Sequence, residues 1–280
     1  MVILIGGTMF DLHIHSIYSD GNLNLESIID ILKEQKIRGF SITDHDCLDG
    51  LEEAATISKK YNIKFIPGIE FGVSYKKREI HVLGYYIDYK NEKLNDFVAK
   101  LKDDRKIRIN KTLSRLNELN IRIKESDLYK YKGSDFVSRS HIAMYLVDNN
   151  YVNSINEAFE KYLGESGSAY IEKNEVELKD VLDIIKKSSG VSVLAHPFRM
   201  TENEIIEIIN CGIDGIEVIN SKHSKDTIIN LMKIVNRYNL IPTAGSDCHG
   251  KLYNKEYLMG KFLCPNSSIK RLENLHDLRK

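Results

Sequence analysis

What most limits the architecture open to this chain is where its histidines stand. Six of the nine, His13, His15, His45, His81, His196 and His249, lie at the ends of short apolar runs. Strands buried on both faces should be almost wholly apolar. Yet the seven runs found here, at 8–15, 39–43, 64–69, 80–86, 191–195, 215–219 and 241–244, end in His, Asp, Glu or a polar residue beside Gly. In Asp11-Leu-His-Ile-His15 the two-residue period of a strand sends His13 and His15 to one face, about 7 Å apart along the chain, and Leu12 and Ile14 to the opposite, core face. Asp247 and His249 repeat the device, and Thr43-Asp-His-Asp46, Pro67-Gly-Ile-Glu70, His81 and Ala195-His-Pro197 supply the rest. Imidazoles and carboxylates gathered on one rim cannot stay buried and unpaired, because desolvation would cost roughly several kcal/mol for each. A bound cation removes that cost. Cys248 points to the other face of its strand, so the donors are nitrogen and oxygen, which suits Mn, Fe or Zn in catalytic use. Carboxylates also bridge ions, so the set has room for more than one metal. A polynuclear metal hydrolase fits the spacing, and amidohydrolase barrels would share it.

Between the strand-like runs lie segments of helical period at 25–35, 51–61, 176–187, 202–211 and 225–238. Alternation of this kind predicts an α/β fold with parallel strands, here a distorted TIM-like (β/α)7 barrel. The stretch 91–168 is too long for a plain crossover and reads as an inserted helical domain, with a stripe through Leu94, Phe97, Val98, Leu101, Ile109, Leu113 and Leu116 and shorter helices at 141–147 and 155–163. The barrel is then made of residues 1–90 and 169–280. Lys plus Arg and Asp plus Glu balance at 40 each, so overall charge argues against a DNA-coating protein. Residues 92–132 carry twelve basic and seven acidic side chains. That excess is either a solvated helix face or a surface that attracts a polyanion. Cys47, Cys211, Cys248 and Cys264 form no CxxC and no framework spacing, as expected of reduced thiols in a cytoplasmic chain. The apolar start, residues 1–7, lacks a basic n-region and is expected not to be a targeting signal. No apolar run approaches the ~20 residues that cross a bilayer, so no membrane partner is expected.

Asp11-Leu-His-Ile-His-Ser16, Ser19-Asp-Gly21, Thr43-Asp-His45, Gly68-Ile-Glu70, His81-Val-Leu-Gly84, Ala195-His-Pro197 and Gly245-Ser-Asp-Cys-His249 resemble, in order and spacing, the PHP (polymerase and histidinol phosphatase) family of metal-dependent phosphoesterases. Ser138-Arg-Ser-His-Ile-Ala143, Glu157-Ala-Phe-Glu-Lys-Tyr-Leu-Gly164 and Ala195-His-Pro-Phe-Arg199 look like the branch of stand-alone enzymes acting on 3′,5′-nucleoside bisphosphates and on 5′ ends of short RNA. The inserted helical domain belongs to that branch. The resemblance implies three divalent ions, Mn foremost with Fe or Zn as alternatives. His13, His15, Glu70 and Asp247 would hold one. Glu70 would bridge to a second held also by His81 and His196, and Asp20, His45 and His249 would hold the third. It also implies that Asp11 and Asp44 orient neighbouring imidazoles, that Arg139 and Arg199 grip phosphate, and that His223 contacts phosphate or donates a proton. The chain departs from the branch pattern at Ser140, where Pro is usual, and at Phe198, where Gly is usual.

The expected chemistry is hydrolysis of a phosphate ester of a nucleotide or short oligonucleotide by a hydroxide bridging two ions, with arginines neutralising the equatorial oxygens. No obligate protein partner is evident. Three rivals stand beside this reading. A histidinol-phosphate phosphatase would usually carry His in place of Asp20, and an amidohydrolase would carry a Lys at a strand end. A non-catalytic nucleotide-binding module would tolerate loss of ligands, whereas all nine are present.

Overall fold

The computed structural model describes residues 9–76, 78–131 and 137–280. The apolar start, Thr8 of the first predicted strand and Lys132 of the basic stretch therefore lie outside the described residues. Strand β1 (Met9–Ile14) leads to α1 (Leu25–Glu34), β2 (Gly39–Ile42), α2 (Leu51–Tyr61), β3 (Lys64–Tyr75) and β4 (Arg78–Tyr85). Next come α3 (Glu92–Glu118), a 3-10 turn (Glu125–Tyr131), α4 (Arg139–Asp148) and α5 (Ile155–Ala158), which widens into a π turn (Phe159–Leu163). The chain returns through α6 (Leu178–Lys187), β5 (Val191–Leu194), α7 (Glu202–Asn210), β6 (Gly215–Asn220), α8 (Lys225–Tyr238) and β7 (Ile241–Gly245). A small hairpin of β8 (Leu252–Tyr253) and β9 (Glu256–Tyr257), then β10 (Cys264–Pro265) and α9 (Asn266–Asp277), complete it.

Eight strands form one sheet in the order β10-β1-β2-β3-β4-β5-β6-β7, and it closes toward a barrel where the Asp247 amide donates to the His13 carbonyl and the His15 amide to that of Cys248. Pairing is parallel through β1-β2-β3 and β5-β6-β7, as expected of helical crossovers. The expectation of parallel strands fails at β4, which runs antiparallel to both neighbours, because β3 turns straight into it with no helix between them. The same turn lengthens β3 to Tyr75 and starts β4 at Arg78. Glu70 and His81 consequently sit within strands rather than at their ends.

Helix register follows the apolar stripe: α1 buries Leu25, Ile28, Ile29 and Leu32. Capping defines its start, since the Asn24 side chain accepts from the Ser27 amide, and Thr201 with Glu204 forms a capping box on α7, satisfying donors that a first turn leaves orphaned. One apolar cluster lies between sheet and helices and takes in Phe40, Phe71, Val82, Ile216 and Val218. A second fills the barrel interior with Phe10, Leu12, Leu83, Tyr85 and Val193, plugged by Ile269 and Leu272 of α9. A third is helical and joins Ile109, Leu113 and Leu116 of α3 to Ile142, Leu146 and Leu163, while Leu94 and Val98 of the same helix pack on the barrel. His276 is tied in rather than free at the surface: it donates to the Ser189 carbonyl at 2.7 Å and stacks on Tyr86.

The expectation that Leu12 and Ile14 share a face is also corrected. Asp11 pairs with Phe40 and Ile14 with Ile42, so β1 spends one more residue than β2 over that span. This bulge re-aims side chains; Leu12 joins the interior cluster and Ile14 the outer one, and His13 turns into the barrel mouth. Strand β7 passes so close that a Cβ at Gly245 would meet the His13 Cβ at 2.3 Å and its backbone nitrogen at 2.6 Å. Backbone cannot yield as a side-chain tip can. Gly245→Ala should therefore lower stability by about 2 kcal/mol through overpacking, read as a fall in the urea midpoint; an unchanged midpoint would show that the closure is looser than described.

Candidate metal centre

The mouth of the barrel is organised around one carboxylate. Glu70, fully buried on β3, faces five imidazoles. Its Oε2 lies 3.2 Å from His13 Nε2, 3.1 Å from His15 Nε2 and 3.3 Å from His45 Nδ1. Oε1 lies 2.9 Å from His81 Nδ1 and 3.0 Å from His196 Nε2. Asp247 Oδ1 approaches His15 Nε2 at 3.2 Å and His13 Nε2 at 3.5 Å, and Asp20 Oδ1 approaches His249 Nε2 at 3.4 Å. All nine residues expected as ligands thus meet at this mouth. Three sets bring their ligand atoms within 4.8 Å of one another: His13, His15, Glu70 and Asp247; His15, Asp20, His45 and His249; and His45, Glu70 and His81. The first matches the expected grouping. In the others His15 and His45 are shared between sets, and His196 reaches Glu70 without completing one.

Several of these buried atoms, His13 Nε2, both ring nitrogens of His15, Asp20 Oδ1 and Glu70 Oε2, have no hydrogen-bond partner. They sit close to one another but are not aligned to share protons, an arrangement that is costly for buried polar groups and natural for lone pairs aimed at a common cation. With no thiolate among them, the donors are of the mixed imidazole and carboxylate kind that divalent catalytic metals favour. The residues fit a metal.

The charges of the cluster shift one another's protonation. Burial opposes ionisation of His15, but the neighbouring Asp247 and Glu70 carboxylates outweigh it and push its pKa up to about 10. His81 likewise, despite burial, is raised to about 10 by Glu70 and Glu79. His45 goes the other way, pulled down to about 4 chiefly by burial. Burial alone would raise the Glu70 carboxyl; the charges of His13, His45 and His81 overcome it and hold Glu70 well below the usual range.

Two cavities flank the cluster and meet at Glu79 and His81. One, of about 230 Å³, is lined by Asp20, His45, Arg105, Arg108, Arg139, Ser140 and Lys173 among others. Arg105 is paired with Asp46, and Lys173 lies 3.0 Å from Glu79. Arg108 and Arg139 meet no carboxylate among the described residues, and Arg108 Nε is buried without a partner. Burial and the charges of Arg139 and Arg105 lower the Arg108 pKa. Arg139 is held by the Leu163 carbonyl at 3.2 Å and lies over the rings of Phe159 and Tyr170. The other cavity, of about 430 Å³, is lined by Arg78, Glu165, His196, Phe198, Arg199 and Lys222 among others. Arg199 rests on the Phe198 ring, 5.1 Å from its centroid.

His223 sits on the loop after β6, where Nδ1 donates to the Val218 carbonyl at 2.8 Å and Nε2 is buried without a hydrogen-bond partner. Burial lowers its pKa. Two assignments are corrected. Asp11 accepts from the backbone amides of Ser246 and Gly260 at 2.9 and 2.8 Å, and Asp44 from the Ser16 amide, Ser16 Oγ and Ser19 Oγ. Neither touches an imidazole; both brace the loops that carry ligands. Sequence reasoning missed Glu217, which contacts His13 and the His196 backbone, Lys222, which donates to Asp247 Oδ2, and Arg108. A carboxylate inside the hydrophobic run Gly-Ile-Glu-Val-Ile was the one available signal for Glu217.

Fold and site together define a metal-dependent phosphoesterase, a hydrolase of phosphate esters. The PHP domain profile matches residues 11–176, and the chain belongs to that family. It is similar to a 3′,5′-nucleoside bisphosphate phosphatase of Chromobacterium violaceum, 30% identical over 85% of this chain and 86% of that one. A 5′-3′ exoribonuclease of Haemophilus influenzae is 28% identical over 86% of this chain and 89% of its own. Among solved structures, a Bifidobacterium adolescentis protein proposed to be a metal-dependent phosphoesterase superposes with TM-score 0.86 at 25% identity, covering 95% of this chain and 96% of that one. Among the described residues no helix is long and apolar enough to cross a membrane.

Metal binding needs free lone pairs, whereas His15 and His81 with pKa values near 10 carry protons at neutral pH. Adding Mn²⁺ to metal-free protein at pH 7.5 should release protons, detected with an indicator in weak buffer, and affinity should rise with pH toward 9. Their raised pKa values also stabilise the metal-free fold below about pH 6.5, a contribution lost as pH climbs through 10. Binding without proton release would contradict this assignment of charge.

Proposed function

We propose that the chain hydrolyses a phosphate ester of a nucleotide, a 3′,5′-nucleoside bisphosphate or a short 5′-phosphorylated oligonucleotide, at a three-ion centre of Mn²⁺. The observation that carries this reading is the encirclement of Glu70 by five imidazoles, with uncompensated guanidinium groups in the cavity beside it. His13, His15, Glu70 and Asp247 would hold one ion, His81 and His196 with Glu70 a second, and Asp20, His45 and His249 a third. When bound, such cations make water nucleophilic at neutral pH and neutralise charge on the transferring phosphoryl group.

The chain's own residues do the rest. Arg139 and Arg108 on one side of His81, and Arg199 on the other, offer planar forks that fix a phosphate in orientation as well as charge. Two cationic walls separated by the metal ligands suit a substrate with more than one phosphate, which favours nucleotides over a small amine phosphate such as histidinol phosphate. His223, its Nδ1 proton committed to the Val218 carbonyl, has a bare Nε2 able to accept a proton or a hydrogen bond; its lowered pKa leaves the ring neutral at neutral pH, an acceptor rather than a proton donor. Phe198 narrows the approach to Arg199. Residues 91–168, whose stretch 92–132 carries the basic excess, would act as a cap over the mouth.

Phosphate release from 3′-phosphoadenosine 5′-phosphate with Mn²⁺, compared with histidinol phosphate and short 5′-phosphorylated RNA, tests the substrate. Nucleotide turnover at least tenfold above histidinol phosphate is expected, and the reverse order would replace this reading. His13→Ala should abolish Mn²⁺-dependent turnover with the circular dichroism spectrum retained; undiminished activity would refute the ligand set. Arg108→Gln should raise KM for the bisphosphate about tenfold, the size of one lost charge-assisted contact, with kcat little changed.

A further inference from the structure

Glu217 is a fully buried carboxylate that the reading above does not use. It lies on β6, where Ile216 and Val218 face the outer cluster, so it occupies an inward position that a barrel interior would ordinarily fill with an apolar side chain. Burying an ionisable group there is expensive unless every lone pair is satisfied. Three donors satisfy it: His13 Nδ1 at 3.0 Å on Oε1, and the His196 amide at 2.9 Å and Asn220 Nδ2 at 3.1 Å on Oε2.

Each of the first two contacts acts on a residue that meets Glu70. A proton committed to Nδ1 of His13 leaves Nε2 as the lone pair, and Nε2 is the atom that faces Glu70 and Asp247. His196 has φ of +27°, a region that strains a side-chain-bearing residue and persists only when its surroundings hold it. The Glu217 carboxylate supplies such a hold by accepting the His196 amide, and in this conformation His196 presents Nε2 to Glu70 at 3.0 Å. The rings of His13 and His196 stack at 5.5 Å and 20° between planes, so one carboxylate orients a pair of adjoining rings. The strand carrying Glu217 has its own irregularity: the register with β7 shifts between Glu217 and Ile219, as bulges beside sites do.

We propose that Glu217 is the positioning residue of the metal centre, fixing the His13 tautomer and the strained His196 backbone so that both Nε2 atoms converge on Glu70. This rests on the metal reading above. Gln cannot substitute. With its oxygen toward His13, its NH₂ would face the His196 amide, itself a donor; turned over, it would donate to His13 Nδ1 and put the ring proton on Nε2, where the lone pair is needed. Loss of a carboxylate that orients a metal-binding His typically weakens metal affinity 10–100-fold.

Calorimetric titration of metal-stripped protein with Mn²⁺, together with melting of the metal-free form, separates positioning from mere structure. Wild-type binding tests the metal reading by itself; if wild type binds no Mn²⁺, that reading and this proposal both fall. Given wild-type binding, Glu217→Gln and the apolar, similarly sized Glu217→Met should each raise the Mn²⁺ Kd at least tenfold, and the penalty should shrink when His13 is already Ala. A Kd within twofold of wild type in whichever variant folds would overturn the proposal. So would an equal penalty with and without His13, or a loss of metal-free melting temperature with affinity intact.

Discussion

The Glu70 carboxylate, held inside the barrel mouth against five imidazoles, is the constraint to which the surrounding architecture answers. A carboxylate and five rings can share so small a volume only if strands from both halves of the chain deliver them to one end. Strand β3 brings Glu70, β1 brings His13 and, one residue past its end, His15, β4 brings His81, and the loops after β2, β5 and β7 bring His45, His196 and His249. The antiparallel turn of β3 into β4 matters here, because it places His81 opposite Gly72, two positions along from the Glu70–Leu83 pair, where His81 Nδ1 reaches Glu70. The bulge in β1 aims His13 at the same point. Fold irregularities and ligand placement are one feature.

Electrostatics set the state of the cluster. It holds carboxylates whose ionisation burial resists and imidazoles whose protonation burial also resists, and each stabilises the other. That balance couples metal binding to proton release. It also explains why the supporting groups are carboxylates bonded to backbone amides: Asp11, Asp44 and Glu217 brace the segments that carry His13, Ser16 and His196, and each accepts more than one donor, so none is left bare in the interior. Outside the mouth the sign reverses, with arginines and lysines on the two cavity walls. A negatively charged ester would meet cations from both sides.

Much of this was readable in the sequence. Helices α1, α2 and α8 lie where the helical period put them, and the residues at strand ends converge as the alternation implied. What was not readable has physical causes. Period-2 reasoning puts Leu12 and Ile14 on one face because a bulge leaves no mark in Asp-Leu-His-Ile-His. The reversal at β4 depends on a tight connection, not on strand composition. Helix α9 hides its buried Ile269 and Leu272 among Lys270, Arg271 and Glu273. Arg108 is one more charge on a basic helix until folding sets it beside Arg139. Glu217 gains its distant partners only when β1 and the segment after β5 reach β6, and Lys222 only when the residues that follow β7 do.

The central claim is that Glu70 bridges cations rather than merely accepting protons. Crystals grown with Mn²⁺ and measured at the manganese absorption edge test it directly. Anomalous peaks are expected on both sides of the Glu70 carboxylate, one toward His13, His15 and Asp247 and one toward His81 and His196. A map with no peak within bonding distance of Glu70 under saturating Mn²⁺ would contradict it.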